Sequence, residues 1–140
     1  MRDFAAGYFF FKRKPAHSKG SRTLTILAYA SSAMPLLYFG STVSSKALFL
    51  ASDLLAIVGF LTVVLATVEL GTSIGISPAN RGLVRSGIYR YIKHPMYLGY
   101  VVSELGLVIL NPLNIALSLV SLSLYFLRAK SENQILYSYP

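Results

Sequence analysis

The residues best equipped for chemistry gather in two places. The first is the stretch from Arg85 to Gly99, RSGIYRYIKHPMYLG, where Tyr89, His94 and Tyr97 lie among basic residues and glycines. The second is Arg128 with Glu132, four residues apart and therefore on one face of a helix. In that pair a glutamate can face a cationic or amine-bearing ligand while an arginine faces a carboxylate. An exposed ion pair worth roughly a few tenths of a kcal/mol satisfies the same spacing. Other chemistries are excluded. The chain has no cysteine, which removes disulfides, thiolate zinc sites and a cysteine nucleophile. Its two histidines, His17 and His94, are too few and too far apart for a metal site. P-loop, GxGxxG, HExxH and GxSxG patterns are absent.

These residues have to be positioned by apolar elements. Of 140 residues, 54% are hydrophobic and 13% charged, where a soluble domain carries about 25% charged residues. The deficit predicts an all-α integral membrane protein in a lipid bilayer. Leu24 to Val43 is long enough for one transmembrane helix, and Pro35 should kink it or sit near a break. Ala47 to Leu70 is long enough for a second. Gly71 to Lys93, with its glycines, Pro78 and four basic residues, reads as an interfacial loop with short helical pieces. Met96 to Leu110 and Leu113 to Leu127, split by Asn111-Pro112, read as a helical hairpin. The organisation is thus a basic and aromatic arm (1–23), two transmembrane helices (24–70), and the loop, hairpin and a short helix end (71–140).

Charge orients this four-span arrangement. Twelve of the 13 Lys and Arg residues fall in the arm, the middle loop and the C-terminal end, leaving Lys46 alone on the other side. The positive-inside rule then puts both termini and the loop in the cytoplasm, as a multi-pass protein of the cell membrane. In a soluble protein a net charge of +8 would suggest nucleic acid. Between apolar runs it suits anionic lipid headgroups, and no nucleic-acid partner is expected. Gly99, Ser103 and Gly106 share one helical face and suit close helix packing. Asp53, Glu69 and Glu104 lie in or beside spans, where an ionisable group needs a partner or a function. Glu69 could pair with a loop arginine, and Glu104 is the deeper of the two glutamates.

Gly87-Ile88-Tyr89, then Lys93-His94-Pro95-Met96-Tyr97-Leu98-Gly99, then Asn111-Pro112, then Arg128-x-x-x-Glu132 with Leu136 follow one another in order. This ordered set resembles the isoprenylcysteine carboxyl methyltransferase family, related to the membrane phospholipid methyltransferases. The likeness runs from about Leu70 to Leu136. The stretch from Leu70-Gly71 to Asn80-Arg81-Gly82-Leu83 looks like prokaryotic members, and the chain is short after Glu132 by comparison. The resemblance implies a transferase that methylates a lipophilic or small acceptor, a prenylcysteine-type carboxylate being the named one, with S-adenosyl-L-methionine as cofactor. It implies that Tyr89, His94, Pro95, Met96 and Tyr97 line the cofactor pocket and that Leu98 and Gly99 continue its wall. Arg81, Gly82, Leu83 and Val84 would fall in the loop covering the cofactor. Glu132 would hold the cofactor's amino or ribose end, and Arg128 would stand toward the acceptor as the catalytic arginine.

Two positions depart from the family pattern. Lys93 stands where an arginine usually precedes His-Pro, which replaces a bidentate donor with a point charge. The family's Glu-Glu pair is Glu132-Asn133 here. A non-catalytic membrane protein with a degenerate site therefore stays open, as does an NADPH-dependent membrane reductase with a similar His-containing segment.

Overall fold

A computed structural model describes residues 8, 11–12, 18–19, 21–73, 79–80 and 84–137. Its described part is all-α, with four helices. Helix α1 spans Arg22–Ala33, and the Ser21 side chain accepts from Leu24 N at 3.3 Å to cap it. The expected span from Leu24 to Val43 does not form one helix. Pro35 sits in a 3-10 turn, Met34–Leu37, and Tyr38 is extended. A proline there cannot donate the helical hydrogen bond, and of the two expected outcomes, kink or break, the chain takes the break. Helix α2 spans Lys46–Leu70, helix α3 Pro95–Leu110 and helix α4 Asn114–Tyr137. Helix α4 runs ten residues beyond the expected end of its apolar run at Leu127. Among the described residues α2 is the one helix both long and apolar enough to cross a membrane.

The loop before α3 holds a 3-10 turn at Gly87–Arg90, in keeping with the expected short helical pieces. Ser18–Lys19 of the N-terminal arm pairs antiparallel with Ala79–Asn80 of this loop. Pro95 opens α3, where a missing backbone donor costs nothing.

The distribution of polarity is that of a protein solvated by lipid. Leu50, Leu54, Ile57, Leu61 and Leu65 of α2 and Ile115, Leu119, Leu122 and Phe126 of α4 lie exposed on the outside. Ser31, Ser52, Thr67, Glu104, Asn114, Ser121 and Arg128 are buried within. Without water outside, helix association depends on close packing of small residues and on internal hydrogen bonds. Helices α2 and α3 show the first. A Cβ on Gly59 would lie 2.5 Å from the Gly99 carbonyl oxygen and closer still to the Ser103 hydroxyl. One on Gly106 would lie 2.8 Å from the Ser52 carbonyl oxygen. The Gly99, Ser103 and Gly106 face therefore packs against α2.

Hydrogen bonding fastens the opposite end. Asn114, fully buried, accepts from Phe39 N at 2.9 Å and donates to the Phe39 and Leu107 carbonyls. Asn111 donates to the Gly40 carbonyl at 2.8 Å, and Thr42 N donates to Leu110 O at 3.0 Å. The Asn-Pro turn between α3 and α4 thus supplies partners for the backbone released where α1 ends.

Gly59→Val should lower the thermal unfolding midpoint in detergent, at a cost of about 1–3 kcal/mol or more, because the helix backbones leave no room for the branches. Gly40→Ala, with nothing within 4 Å of its new methyl, should melt like the parent.

Candidate functional site

Helices α3 and α4 run antiparallel and face each other through two polar stripes. On α3 the stripe is Tyr97, Tyr100 and Glu104; on α4 it is Ser121, Tyr125, Arg128 and Glu132. At the end bearing the His94 turn, the Tyr97 hydroxyl donates to Glu132 Oε1 at 2.5 Å. That length marks a charge-assisted bond to a carboxylate. His94 Nδ1 lies 3.6 Å from Glu132 Oε2, and His94 Nε2 donates to Asn133 Oδ1 at 3.1 Å. The position that departs from the family's second glutamate therefore holds the histidine ring. His94 stacks on Tyr97 at 5.5 Å, and Tyr97 stacks on Tyr125 at 5.6 Å.

Arg128 is buried at 7% exposure. Its Nη1 donates to Ser31 Oγ at 2.8 Å, its Nη2 lies 4.0 Å from Glu132 Oε1, and its guanidinium carbon sits 5.1 Å from the Tyr97 ring centre. The charge is thus shared between a carboxylate, a hydroxyl and an aromatic face. Glu132 keeps an accepting oxygen: among the described residues its Oε2 meets only the His94 ring, beyond hydrogen-bonding distance.

Glu69, at the last turn of α2, shapes the loop that approaches this cluster. Its Oε2 accepts from Ile88 N at 2.6 Å. Gly87 has φ 54°, and the Glu69 carboxylate fills the space a Cβ on Gly87 would need. Only glycine suits both conditions. The described partner of Glu69 is therefore loop backbone. The turn brings Tyr89 in beside Glu132 and Glu69. Burial raises the Tyr89 phenol above its usual range, and the two carboxylate charges push it further.

The structure brings Tyr89, His94, Tyr97, Arg128 and Glu132 together. Pro95 is buried under the turn, and Met96 and Val84 are half-buried. Leu98 is 43% exposed on the outer surface, and Gly99 is buried against Gly59 and Val63 of α2. Arg81, Gly82 and Leu83 lie outside the described residues. Sequence reading missed Tyr100 and Tyr125, although Tyr97, Tyr100 and Glu104 recur at helical spacing. It also missed Ser31, for which no local signal exists.

A family model matches residues 47–138, covering α2, α3 and α4: the isoprenylcysteine carboxyl methyltransferase family. The chain belongs to that family. The family is one of membrane methyltransferases, and the match reaches further toward the N-terminus than the motif-bearing stretch. Comparisons with curated proteins and with solved structures gave no match.

The unfolded chain ionises Tyr89 near pH 10, whereas the folded protein keeps it neutral above that. The stability this neutral phenol contributes is intact below about pH 10 and is lost as pH rises past it. Tyr89→Phe should therefore unfold later than the parent in an alkaline titration followed by circular dichroism.

Proposed function

We propose that the chain is an S-adenosylmethionine-dependent methyltransferase acting on a lipophilic or small acceptor at the cytoplasmic face of the membrane. The observation that carries this reading is the Tyr97–Glu132–His94–Arg128 cluster at one end of the α3–α4 seam, in a chain of a methyltransferase family. The donor set suits the cofactor. Glu132 offers an oxygen to an ammonium or to ribose hydroxyls. The faces of His94, Tyr97 and Tyr89 suit an adenine ring or a sulfonium cation. When bound, the sulfonium supplies a methyl group already activated for transfer.

The protein's task is then to bind, orient and exclude water, and no nucleophilic side chain is required. Tyr97 and Arg128 fix the Glu132 carboxylate. Asn133 fixes the His94 ring, and Glu69 holds the Gly87 turn and with it Tyr89. Arg128 stands on the acceptor side of Glu132. Arg81 to Val84 are proposed to cover the cofactor, with Pro95 and Met96 setting the turn that carries His94 and Tyr97; Leu98, on the outer surface, and Gly99, packed against α2, stand away from the pocket. Four membrane crossings, with α1 and its 3-10 extension as the first, put both termini and the site on the basic side.

Two measurements test this. Calorimetric titration of the purified protein with S-adenosylhomocysteine should show saturable binding, weakened at least about tenfold in Glu132→Gln, the range for a hydrogen bond to a charged group. A folded parent protein that binds none sinks the reading. Because the chain has no native cysteine, cysteines placed singly at exposed Lys93 and Ser44 should label from opposite sides of intact cells.

A further inference from the structure

We infer that Ser31 of α1 is a positioning residue for the cofactor site: it holds the Arg128 guanidinium off Glu132 and so keeps that carboxylate's charge for the ligand. The inference rests on the methyltransferase reading above. It adds a residue from outside the stretch matched by the family, which begins at residue 47. The observation behind it is an ion pair that stays open. Arg128 and Glu132 stand four residues apart on α4, a spacing at which such side chains are neighbours on the helix surface. Arg128 is buried at 7% exposure, where an opposite charge attracts it more strongly than in water. Yet Nη2 stops 4.0 Å from Glu132 Oε1, while Nη1 donates a full hydrogen bond, 2.8 Å long, to the neutral Ser31 hydroxyl. The Ala28 carbonyl lies 3.5 Å from the same nitrogen. The guanidinium is a rigid planar fork, so anchoring Nη1 limits how far Nη2 can travel.

Ser31 is oriented for this task. Its own proton goes to the Ala28 carbonyl at 2.9 Å, which leaves the oxygen's lone pairs to accept from Arg128. Ser31 and Ala28 are both fully buried, so the anchor stands away from solvent. Ser32 donates to the same carbonyl, also at 2.9 Å, but is exposed. It offers a comparison for hydroxyl-to-carbonyl bonding within α1. For the ligand the difference is one of charge. Tyr97, a neutral donor, orients the Glu132 carboxylate without cancelling its charge. A guanidinium closed onto that carboxylate would both cancel the charge and occupy its lone pairs. With the pair held open, the carboxylate keeps its attraction for the ammonium or ribose hydroxyls of the cofactor.

The test is calorimetric titration of the full chain in lipid nanodiscs with S-adenosylhomocysteine, run as a double-mutant cycle. Ser31→Ala should weaken binding about fivefold, part of the effect of a hydrogen bond to a charged group. Ser32→Ala, which breaks the same kind of bond to Ala28, should bind like the parent. Ser31→Thr, which restores the hydroxyl, should recover most of the lost affinity. In an Arg128→Gln background, Ser31→Ala should change the affinity by less than about twofold, because no guanidinium is left to hold. Equal binding by wild type and Ser31→Ala overturns the proposal and leaves the methyltransferase reading standing. A loss that persists at full size in the Arg128→Gln background overturns it too, since Ser31 would then act through helix packing alone. A wild-type protein that unfolds cooperatively but binds no S-adenosylhomocysteine overturns both readings together.

Discussion

A peptide group or carboxylate that faces hydrocarbon finds no water, so the bundle's interior has to supply each polar partner itself. That constraint accounts for the inside-out distribution of residues, with leucines and phenylalanines outside and asparagine, serine, glutamate and arginine within. It also explains why the irregular chain after α1 is tolerated. The backbone freed at Pro35 is bonded by Asn111 and Asn114, which lie at the start of α4 and the turn before it. The contact between Gly59 and Gly99 answers the same demand by packing, since backbones this close replace the attraction that water would otherwise provide.

The seam between α3 and α4 follows from these two fastenings. With α3 locked to α2 on its glycine face, its other face is left to carry Tyr97, Tyr100 and Glu104. The Asn111 turn sends α4 back antiparallel, so that Tyr125 falls opposite Glu104 and Glu132 opposite Tyr97. The two carboxylates occupy different environments as a result. Glu132 sits at the open end among charged and ring partners, where a ligand can reach its remaining oxygen. Glu104 lies deeper, where the Tyr125 hydroxyl donates to it.

Much of this was legible in the sequence because apolar runs and breakers are local signals. The run from Ala47 to Leu70, the Pro95 start of α3 and the Asn111-Pro112 turn fall where residue types put them. Two boundaries did not. Hydropathy marks the end of the apolar run at Leu127, but Arg128 to Gln134 contains no glycine or proline, so the helix continues past it. Conversely, the apolar run from Leu24 to Val43 outlasts its helix because one proline outweighs many favourable side chains. At the site, the ordered motifs brought out His94, Tyr97, Arg128 and Glu132. Ser31 and Tyr38 were invisible, since they meet their partners across some 70 to 100 residues of chain. Glu69 has a backbone partner, which no residue pattern can reveal.

Helix α1 lies outside the family match at residues 47–138, yet it is part of the site. Ser31 and the Ala28 carbonyl take one side of the Arg128 guanidinium, at 2.8 and 3.5 Å. Remove them, and the guanidinium would lose a hydroxyl and a carbonyl on its far side, with Glu132 Oε1 on the other. By holding Arg128 from the far side, α1 keeps the guanidinium at 4.0 Å from Glu132 and leaves the short bond to Tyr97. The stretch matched by the family supplies the carboxylate and the rings. A helix with no motif of its own sets how strongly the arginine pulls on them, and so how much of Glu132 remains for a ligand.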